Sequence, residues 1–190
     1  MQPYICGVQT RLDRFNNSWY KPGAGPMVRL MWYFTNALFF KSSWFLPVGP
    51  KRSILRLFGA RIGKGVVLKP CINIKYPWKL EIGDYSWIGE NVWIDNLAEV
   101  KIGSHCCVSQ GALLLCGNHD YSRESFDLMV GSITMEDGSW AGARTLLCPG
   151  TVLGSHSVLS AASVATGRLE SYTIYRGHPA VPVKKREIKA

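Results

Sequence analysis

The chain has 190 residues, of which 47% are hydrophobic and 18% are charged, a composition typical of a globular domain and not of a disordered segment. Its 22 Lys and Arg against 13 Asp and Glu give a formal net charge of +9, which suits an anionic partner such as nucleic acid, anionic lipid or a phosphate-bearing ligand. The N-terminus lacks the basic and apolar regions of a signal peptide. The six cysteines form neither a CxxC pair nor a zinc spacing. These features predict reduced thiols in a cytoplasmic protein without a metal site.

Residues 1–55 are predicted to form an N-terminal arm that contains a hydrophobic helix. The stretch 27–48 is strongly apolar, but its uncharged run from Leu30 to Phe40 is too short to span a bilayer. Two interpretations remain open. The helix either caps the end of the body or lies at the inner face of the membrane, with its aromatic residues among the headgroups. In the second case four basic residues would contact anionic lipid: Arg29, Lys41, Lys51 and Arg52.

Residues 56–180 are predicted to form the body of the protein, in which the sequence repeats with a period of six from Ile62 to Ala165. The repeated positions, with two two-residue slips and one break, are Ile62, Leu68, Ile74, Leu80, then Ile82, Ile88, Ile94, Val100, then Ile102, Val108, Leu114, and finally Ala141, Leu147, Leu153, Leu159 and Ala165. Period six matches a short strand followed by a turn, and three such units close one triangular coil. Coils stacked at the strand spacing of roughly 4.8 Å bury one continuous interior. The sequence therefore predicts an all-β fold, a parallel β-helix.

The six-residue period fails between Leu114 and Ala141, which predicts a loop, residues 117–138, extruded from one corner of the coil. Long loops on a rigid scaffold are where functional residues concentrate. His119 stands where the coil opens into this loop, whereas His105 and His156 occupy outward positions of the repeat and His178 follows the last coil. His119 is therefore the candidate functional histidine.

Six stretches carry a resemblance to a known family: Phe15–Tyr20, Leu57–Gly65, Ile74–Leu80, Trp87–Leu97, Asn118–Tyr121 and Gly177–Ala180. They resemble the hexapeptide-repeat acyltransferases, in particular the subgroup similar to the colanic acid biosynthesis acetyltransferases. The resemblance implies a left-handed β-helix, a homotrimer, and transfer of an acetyl group from acetyl-CoA to a hydroxyl of a sugar or lipid-linked sugar in surface polysaccharide assembly.

Other functions stay open at this point. One is acetylation of a small non-sugar acceptor such as an antibiotic, and another is a non-catalytic β-helix scaffold. Nucleic-acid binding is not expected, because aromatic and basic residues do not alternate along one face.

The resemblance implies that His119 is the general base, since a neutral imidazole can take the proton of a sugar hydroxyl during attack on the thioester. Its other ring nitrogen needs a partner, for which Glu99 and a backbone carbonyl are both candidates. Cys116 offers a rival mechanism through an acyl-cysteine, but its place in the repeat points inward. The expected contacts to the acceptor are Asp95, Asn96, Asp120 and Tyr121.

The resemblance also implies that CoA lies along the outer face of the C-terminal coils, in a groove shared with a neighbouring subunit. Ala143 and Ala161 are 18 residues apart and therefore stacked, so they would line the pantetheine beside Gly142, a candidate oxyanion donor. A Thr-Lys pair of relatives is Thr166-Gly167 here, and Arg168 follows. Cations that could hold the CoA phosphates are Arg168, Lys184, Lys185 and Arg186, the last three within a basic C-terminal tail, residues 181–190.

Overall fold

The computed structural model describes residues 7–43 and 47–189; residues 1–6, 44–46 and 190, which belong to the predicted arm and tail, lie outside the described residues. The arm contains a 3₁₀ turn, Leu12–Arg14, and helix α1, Pro26–Thr35, which continues as a π-helical turn, Asn36–Phe40. Helix α2, Val48–Leu57, ends two residues beyond the predicted arm boundary of residue 55, and the first strand begins at Arg61.

Short parallel strands wind into three sheets that form the faces of a triangular prism. Sheet A contains β1 (Arg61–Ile62), β4 (Leu80–Ile82), β7 (Val100–Ile102), β12 (Ile133–Met135), β15 (Val152–Leu153) and β18 (Arg168–Leu169). Sheet B contains β2 (Val67–Leu68), β5 (Trp87–Ile88), β8 (Cys107–Val108), β13 (Trp140–Ala141), β16 (Val158–Leu159), β19 (Thr173–Gly177) and the antiparallel β20 (Ala180–Lys185). Sheet C contains β3 (Asn73–Ile74), β6 (Trp93–Asp95), β9 (Leu113–Leu115), β14 (Leu146–Leu147) and β17 (Val164–Ala165). The chain visits the faces in the order A, B, C, so the fold is the predicted β-helix.

The repeated residue of each hexad points into the prism and stacks on its equivalent in the next coil. Ile82 pairs in register with Ile102, and Ile94 pairs with Leu114, and all four side chains are buried. A glycine follows many of these positions because the coils approach closely at the corners. A Cβ added at Gly83, for example, would lie 2.6 Å from the carbonyl carbon of Gly103. The periodicity therefore predicts the interior correctly.

The two-residue slips in the repeat belong to sheet A. There β4, β7 and β12 have three residues, and the first and third both point inward, as Leu80 and Ile82 do. The same pattern puts the buried Ile133 and Met135 back in the coil. The excursion therefore spans 117–132, and the predicted loop of 117–138 is too long, because Ile133 and Met135 already restart the repeat, with Met135 six residues before Ala141.

A β-hairpin forms the base of the excursion. Strand β10, Gly117–His119, pairs antiparallel with β11, Leu128–Val130. The N-terminal arm crosses this loop, since the Arg11 amide donates to the Glu124 carbonyl and the Arg14 guanidinium lies 2.9 Å from the Glu124 carboxylate. The predicted C-terminal tail begins as a strand: β20 pairs with β19 as far as Lys185 and extends sheet B.

The outward faces of the three sheets differ in chemistry. Sheet A is charged and paired, with an Arg61–Glu81 ion pair of 2.7 Å and an Arg168–Glu136 ion pair of 2.9 Å. Sheets B and C expose apolar residues instead. On sheet B these are Trp87, Cys107 and Trp140, and on sheet C they are Trp93, Leu113, Leu146 and Val164, each exposed or partly exposed. Face A is therefore suited to exposure to solvent, whereas faces B and C are suited to packing against another protein surface.

Candidate active site

A hydrogen bond within the loop fixes the tautomer of the neutral His119 ring. Its Nδ1 lies 2.9 Å from the carbonyl oxygen of Phe126. A carbonyl oxygen can only accept a hydrogen bond, so Nδ1 carries the proton, and in the neutral ring Nε2 is the basic atom. Of the two partners that the sequence left open, the structure places the backbone carbonyl at Nδ1. Among the described residues no hydrogen bond joins the Glu99 carboxylate to His119.

Two phenylalanine rings hold the His119 imidazole in place. Phe126 stacks on it with a centroid distance of 4.4 Å and an interplanar angle of 7°, and Phe15 from the arm lies 5.6 Å away at 56°. Phe126 also adopts a left-handed backbone with φ of +51°, a conformation uncommon outside glycine. Sequence reasoning did not single out Phe126, because its position beside His119 depends on the hairpin register.

The two loop residues proposed to contact the acceptor differ in availability. Asp120 accepts from the Ser122 amide at 3.0 Å and lies 3.4 Å from the Arg123 guanidinium, and the hydrogen bonds from Ser122 hold its pKa below the usual aspartate value. It therefore closes the turn of the loop. Tyr121 is 84% exposed and free to meet a ligand.

Asn96 has a role within the fold that the sequence did not reveal. Its side chain is fully buried, its Nδ2 donates to the Tyr76 carbonyl at 2.6 Å, and its Oδ1 accepts from the Tyr76 amide at 2.9 Å. Both ends of the amide thus bridge neighbouring coils. This is a correction to the predicted acceptor contact, because reaching a ligand would break both hydrogen bonds to the Tyr76 backbone.

Asp95 lines a cavity of about 300 Å³ between α1 and sheet C, together with Lys75, Tyr76 and Trp93. Lys75 Nζ lies 2.9 Å from Asp95 Oδ1 but outside hydrogen-bond alignment, and this buried oxygen has no hydrogen-bond partner among the described residues. The backbone of Asp95 supports the base of the hairpin, since its carbonyl accepts from the Cys116 amide at 3.2 Å. Asp95 and His119 therefore lie on the same edge of the prism, between faces C and A.

A groove of about 410 Å³ runs along the edge between faces B and C. The structure brings Gly142, Ala143 and Ala161 together in its lining, and Trp140 forms part of its wall, where its indole N–H donates to the Ser109 hydroxyl at 2.9 Å. The Gly142 amide donates to the Leu159 carbonyl at 2.8 Å. This amide is therefore used in the pairing of adjacent coils, so the prediction that Gly142 donates to the oxyanion is wrong.

The predicted phosphate contacts are spread over different faces. Thr166 follows β17 at the edge between faces C and A, and Arg168 lies on face A, paired with Glu136, so the structure does not bring these two to the groove. Lys185 donates to the Thr173 hydroxyl at 2.9 Å. Lys184 pairs with Ile174, which in turn pairs with the groove residue Val158.

Two further cations complete this picture. Arg186 donates to the Gly138 and His156 carbonyls at the corner between faces A and B, away from the groove. Arg144, which the sequence analysis did not name, directly follows Ala143 at the groove's own corner and adopts a left-handed backbone with φ of +56°. Lys184 and Arg144 are therefore the cations best placed for the groove.

Cys116 is buried beneath the hairpin, as its repeat position predicts. Burial raises the pKa of its thiol to about 11, so at neutral pH the sulfur is protonated and weakly nucleophilic. A covalent acyl-cysteine is therefore disfavoured. The five cysteines among the described residues are free thiols, and Cys6 lies outside them. The described part of the chain contains no group of three or more His, Cys, Asp or Glu side chains able to hold a metal ion.

Solved structures share this coil architecture. A hexapeptide-repeat-containing acetyltransferase of Vibrio cholerae O1 biovar eltor, solved with acetyl coenzyme A, superposes with a TM-score of 0.76 at 22% identity, over 85% of this chain and 88% of that one. A galactoside acetyltransferase in complex with coenzyme A gives a TM-score of 0.75 at 21% identity, over 85% and 82%. The fold is thus the left-handed parallel β-helix of the hexapeptide-repeat acyltransferases.

Sequence comparison narrows the relationship. No protein-family model matches the chain. The protein named "Putative colanic acid biosynthesis acetyltransferase WcaF" of Escherichia coli (strain K12) is 35% identical over 156 residues, which cover 82% of this chain and 86% of that protein. The chain therefore belongs to the hexapeptide-repeat acetyltransferases, with this relative as a similar member, and it is an acyltransferase.

Proposed function

We propose that the protein transfers the acetyl group of acetyl-CoA to a hydroxyl of a saccharide during assembly of a surface polysaccharide. The observation that carries the proposal is the Nδ1–H hydrogen bond of His119 to the Phe126 carbonyl, which leaves Nε2 as a base. Support comes from acetyl-CoA and CoA in the two solved structures and from the colanic acid relative.

The chemistry requires one base that can also act as an acid. His119 Nε2 takes the proton of the hydroxyl as its oxygen attacks the thioester carbonyl, and the resulting imidazolium is stabilised by the Phe126 carbonyl at Nδ1–H. When the tetrahedral intermediate collapses, the C–S bond breaks and His119 returns the proton to the CoA sulfur. The products are an acetyl ester and free CoA, and His119 is again neutral.

The acceptor is proposed to enter the cavity beside Asp95. An ionised carboxylate accepts hydrogen bonds only, so the Oδ1 of Asp95, which lies 2.9 Å from Lys75 Nζ and has no aligned hydrogen-bond donor among the described residues, suits a hydroxyl donor. The aromatic side chains of Tyr76 and Trp93 in the same lining provide apolar faces for a sugar ring. The exposed Tyr121 lies on the loop above, two residues after His119.

We propose further that the active site is shared between subunits of a homotrimer. His119 lies on the edge between faces C and A, whereas the Ala143–Ala161 groove lies on the edge between B and C, so face C separates them within one chain. The apolar outer residues of face C, such as Leu113 and Leu146, suit packing against a second subunit. Such packing would bring the histidine of one subunit to the groove of its neighbour.

Mixed trimers test this arrangement. Ala161→Trp should fill the groove without touching the core, because Ala161 is exposed, and His119→Ala should remove the base. Each variant alone should be inactive. When the two are co-expressed, about a quarter of the sites in randomly mixed trimers combine an intact histidine with an intact groove, so activity should return to about a quarter of wild type. Mixed trimers that assemble but stay at the level of the separate variants would show that one chain supplies the whole site.

An acceptor screen that follows free CoA tests the reaction itself. Wild-type protein with acetyl-CoA should release CoA only when a suitable saccharide is present, and His119→Ala should not. If CoA is released with a small non-sugar acceptor but with none of the saccharides, the result would support the antibiotic-type alternative. A wild-type protein that binds acetyl-CoA but releases no CoA with any acceptor would support the scaffold alternative.

A further inference from the structure

Helix α1 and the π-helical turn touch the β-helix along one narrow line. Trp32, Asn36 and Phe40 are spaced four residues apart and are buried, and the Trp32 indole donates to the Ile74 carbonyl at 2.9 Å. These three residues lie on one helix face. The capping interpretation of the arm therefore explains why this helix face is buried. It does not explain the residues on the other faces of the helix.

The opposite face is apolar and open to solvent. Met27, Leu30, Phe34 and Leu38 follow each other at intervals of three or four residues, and each side chain is 52–68% exposed. Four more large apolar residues on the flanks are also exposed: Val28, Met31, Tyr33 and Phe39. A contiguous apolar surface of this kind marks an interaction site.

The charge around this surface has one sign. Between Arg14 and Leu80 the sequence contains twelve Lys and Arg and no Asp or Glu, so this segment alone exceeds the net charge of the whole chain, +9. Arg29 and Lys41 lie on the arm itself and are exposed, and Arg52 lies on α2, partly buried. An exposed apolar face within a segment of strong positive charge complements an anionic bilayer surface.

One of the four cations expected to meet lipid is excluded. Lys51 is 2% exposed, its Nζ donates to the Lys69 carbonyl at 3.5 Å, and burial lowers its pKa. It therefore supports the packing of α2 on the first coil. The remaining candidates are Arg29, Lys41 and Arg52.

The geometry of the arm suits a helix lying on a bilayer. Across the described parts of the chain, no helix has the length and hydropathy that a membrane crossing requires. Residues 26–40 would extend about 22 Å, against a hydrocarbon core of about 30 Å. A short helix with an outward apolar face, in a strongly cationic segment, is suited to lie in the plane of the membrane interface.

We propose that α1 and the π-helical turn dock the protein on a bilayer surface rich in anionic lipid, with the Met27–Leu38 face among the acyl chains and Arg29 and Lys41 at the phosphates. The same face of a second copy is a poorer partner than an anionic bilayer, because two positively charged surfaces would then meet and repel each other. The docking is independent of the acetyl-transfer chemistry. It would also bring the Asp95 cavity, which Arg29, Tyr33 and Lys41 help to line, to the level of the lipid headgroups.

Vesicle co-sedimentation of the full chain tests the proposal. Wild-type protein should bind vesicles of phosphatidylcholine with phosphatidylglycerol, bind phosphatidylcholine alone far less, and lose binding as salt is raised. The double substitution Leu30→Asp with Phe34→Asp should weaken binding at least about tenfold, because two apolar side chains lose their burial. Arg29→Glu with Lys41→Glu should weaken it by a similar factor on anionic vesicles only.

Matched controls lie on other surfaces. Val181→Asp removes an apolar side chain that is 56% exposed on β20, and Lys101→Glu reverses an exposed charge on face A, and both should bind vesicles like wild type. Thermal unfolding and light scattering establish that each variant folds and keeps its oligomeric state. The proposal is overturned if the wild-type protein does not bind anionic vesicles, or if folded arm variants bind them as tightly as wild type does. It is also overturned if the arm variants dissociate the oligomer but still bind vesicles.

Discussion

Replacing His119 with alanine should lower turnover by about 10²–10⁴-fold, the range that a positioned general base contributes. The Nδ1–H hydrogen bond to the Phe126 carbonyl holds the ring with Nε2 basic, and alanine removes both functions at once. CoA binding should stay within a few-fold, because His119 does not line the groove and acts on the acceptor hydroxyl. Steady-state kinetics with a saturating acceptor and calorimetric titration of CoA measure the two effects separately.

His105→Ala is the matched control for that substitution. His105 lies at the corner between faces A and B, stacked on Tyr85 at 5.3 Å, so removing it takes away an imidazole without touching the hairpin. Its turnover should equal that of wild type. An active His119→Ala variant, or a His105→Ala variant as impaired as His119→Ala, would contradict the assignment of the base.

Ile82→Ala should lower the free energy of unfolding by about 2–5 kcal/mol, the cost of a cavity left by a large aliphatic side chain in a close-packed interior. Ile82 is 1% exposed and stacks on Ile62 and Ile102 within face A. Few atoms can move in to fill the space, because the coils above and below are tied by backbone hydrogen bonds. Denaturant unfolding at fixed protein concentration measures the loss, since subunit association would add to stability.

The neighbouring Glu81 provides the comparison. Its side chain points outward from the same strand and makes an exposed ion pair with Arg61 at 2.7 Å. Exposed pairs contribute little, so Glu81→Ala should cost less than about 1 kcal/mol. Equal effects at the two positions would show that the alternation of inward and outward residues on face A is wrong.

The sequence predicts the body of the fold well because a six-residue period encodes inward residues directly. Ile94 and Leu114 are buried at the expected positions, and their spacing places them in adjacent coils. Periodicity alone does not reveal the return of the repeat at Ile133, because two inward residues, Ile133 and Met135, occupy one three-residue strand of sheet A. A single unit out of step cannot be separated from a loop by periodicity alone.

The site is harder to predict, because its contacts depend on which residues the folded loop brings together. His119 is identified by its place at the break in the repeat, but its partner, Phe126, is seven residues away and meets it only through the hairpin register. Asn96 and Asp95 are adjacent and equally polar. The structure makes Asn96 a fully hydrogen-bonded bridge between coils, and it places Asp95 in the lining of a cavity, where it forms an ion pair with Lys75.

The charged residues show the same limit. Arg168 follows the position of a family lysine, but the strand that carries it belongs to face A, where Glu136 pairs with it. Composition gives the net charge of +9, and the sequence shows that the positive charge is concentrated between Arg14 and Leu80. A role for this charge can be inferred only from the structure, which shows the exposed apolar face of α1 in the same segment. Face assignment thus decides the role of each cation.

The most direct test of saccharide O-acetylation is the mass of the acceptor after reaction. Wild-type protein should be incubated with acetyl-CoA and a panel of free, nucleotide-linked and lipid-linked saccharides, followed by mass spectrometry before and after mild alkali. The account predicts that one saccharide gains a single acetyl group, that alkali removes it as expected for an ester, and that His119→Ala gives no product. An acetyl group that survives alkali, as an amide would, or transfer that does not need His119, would contradict it.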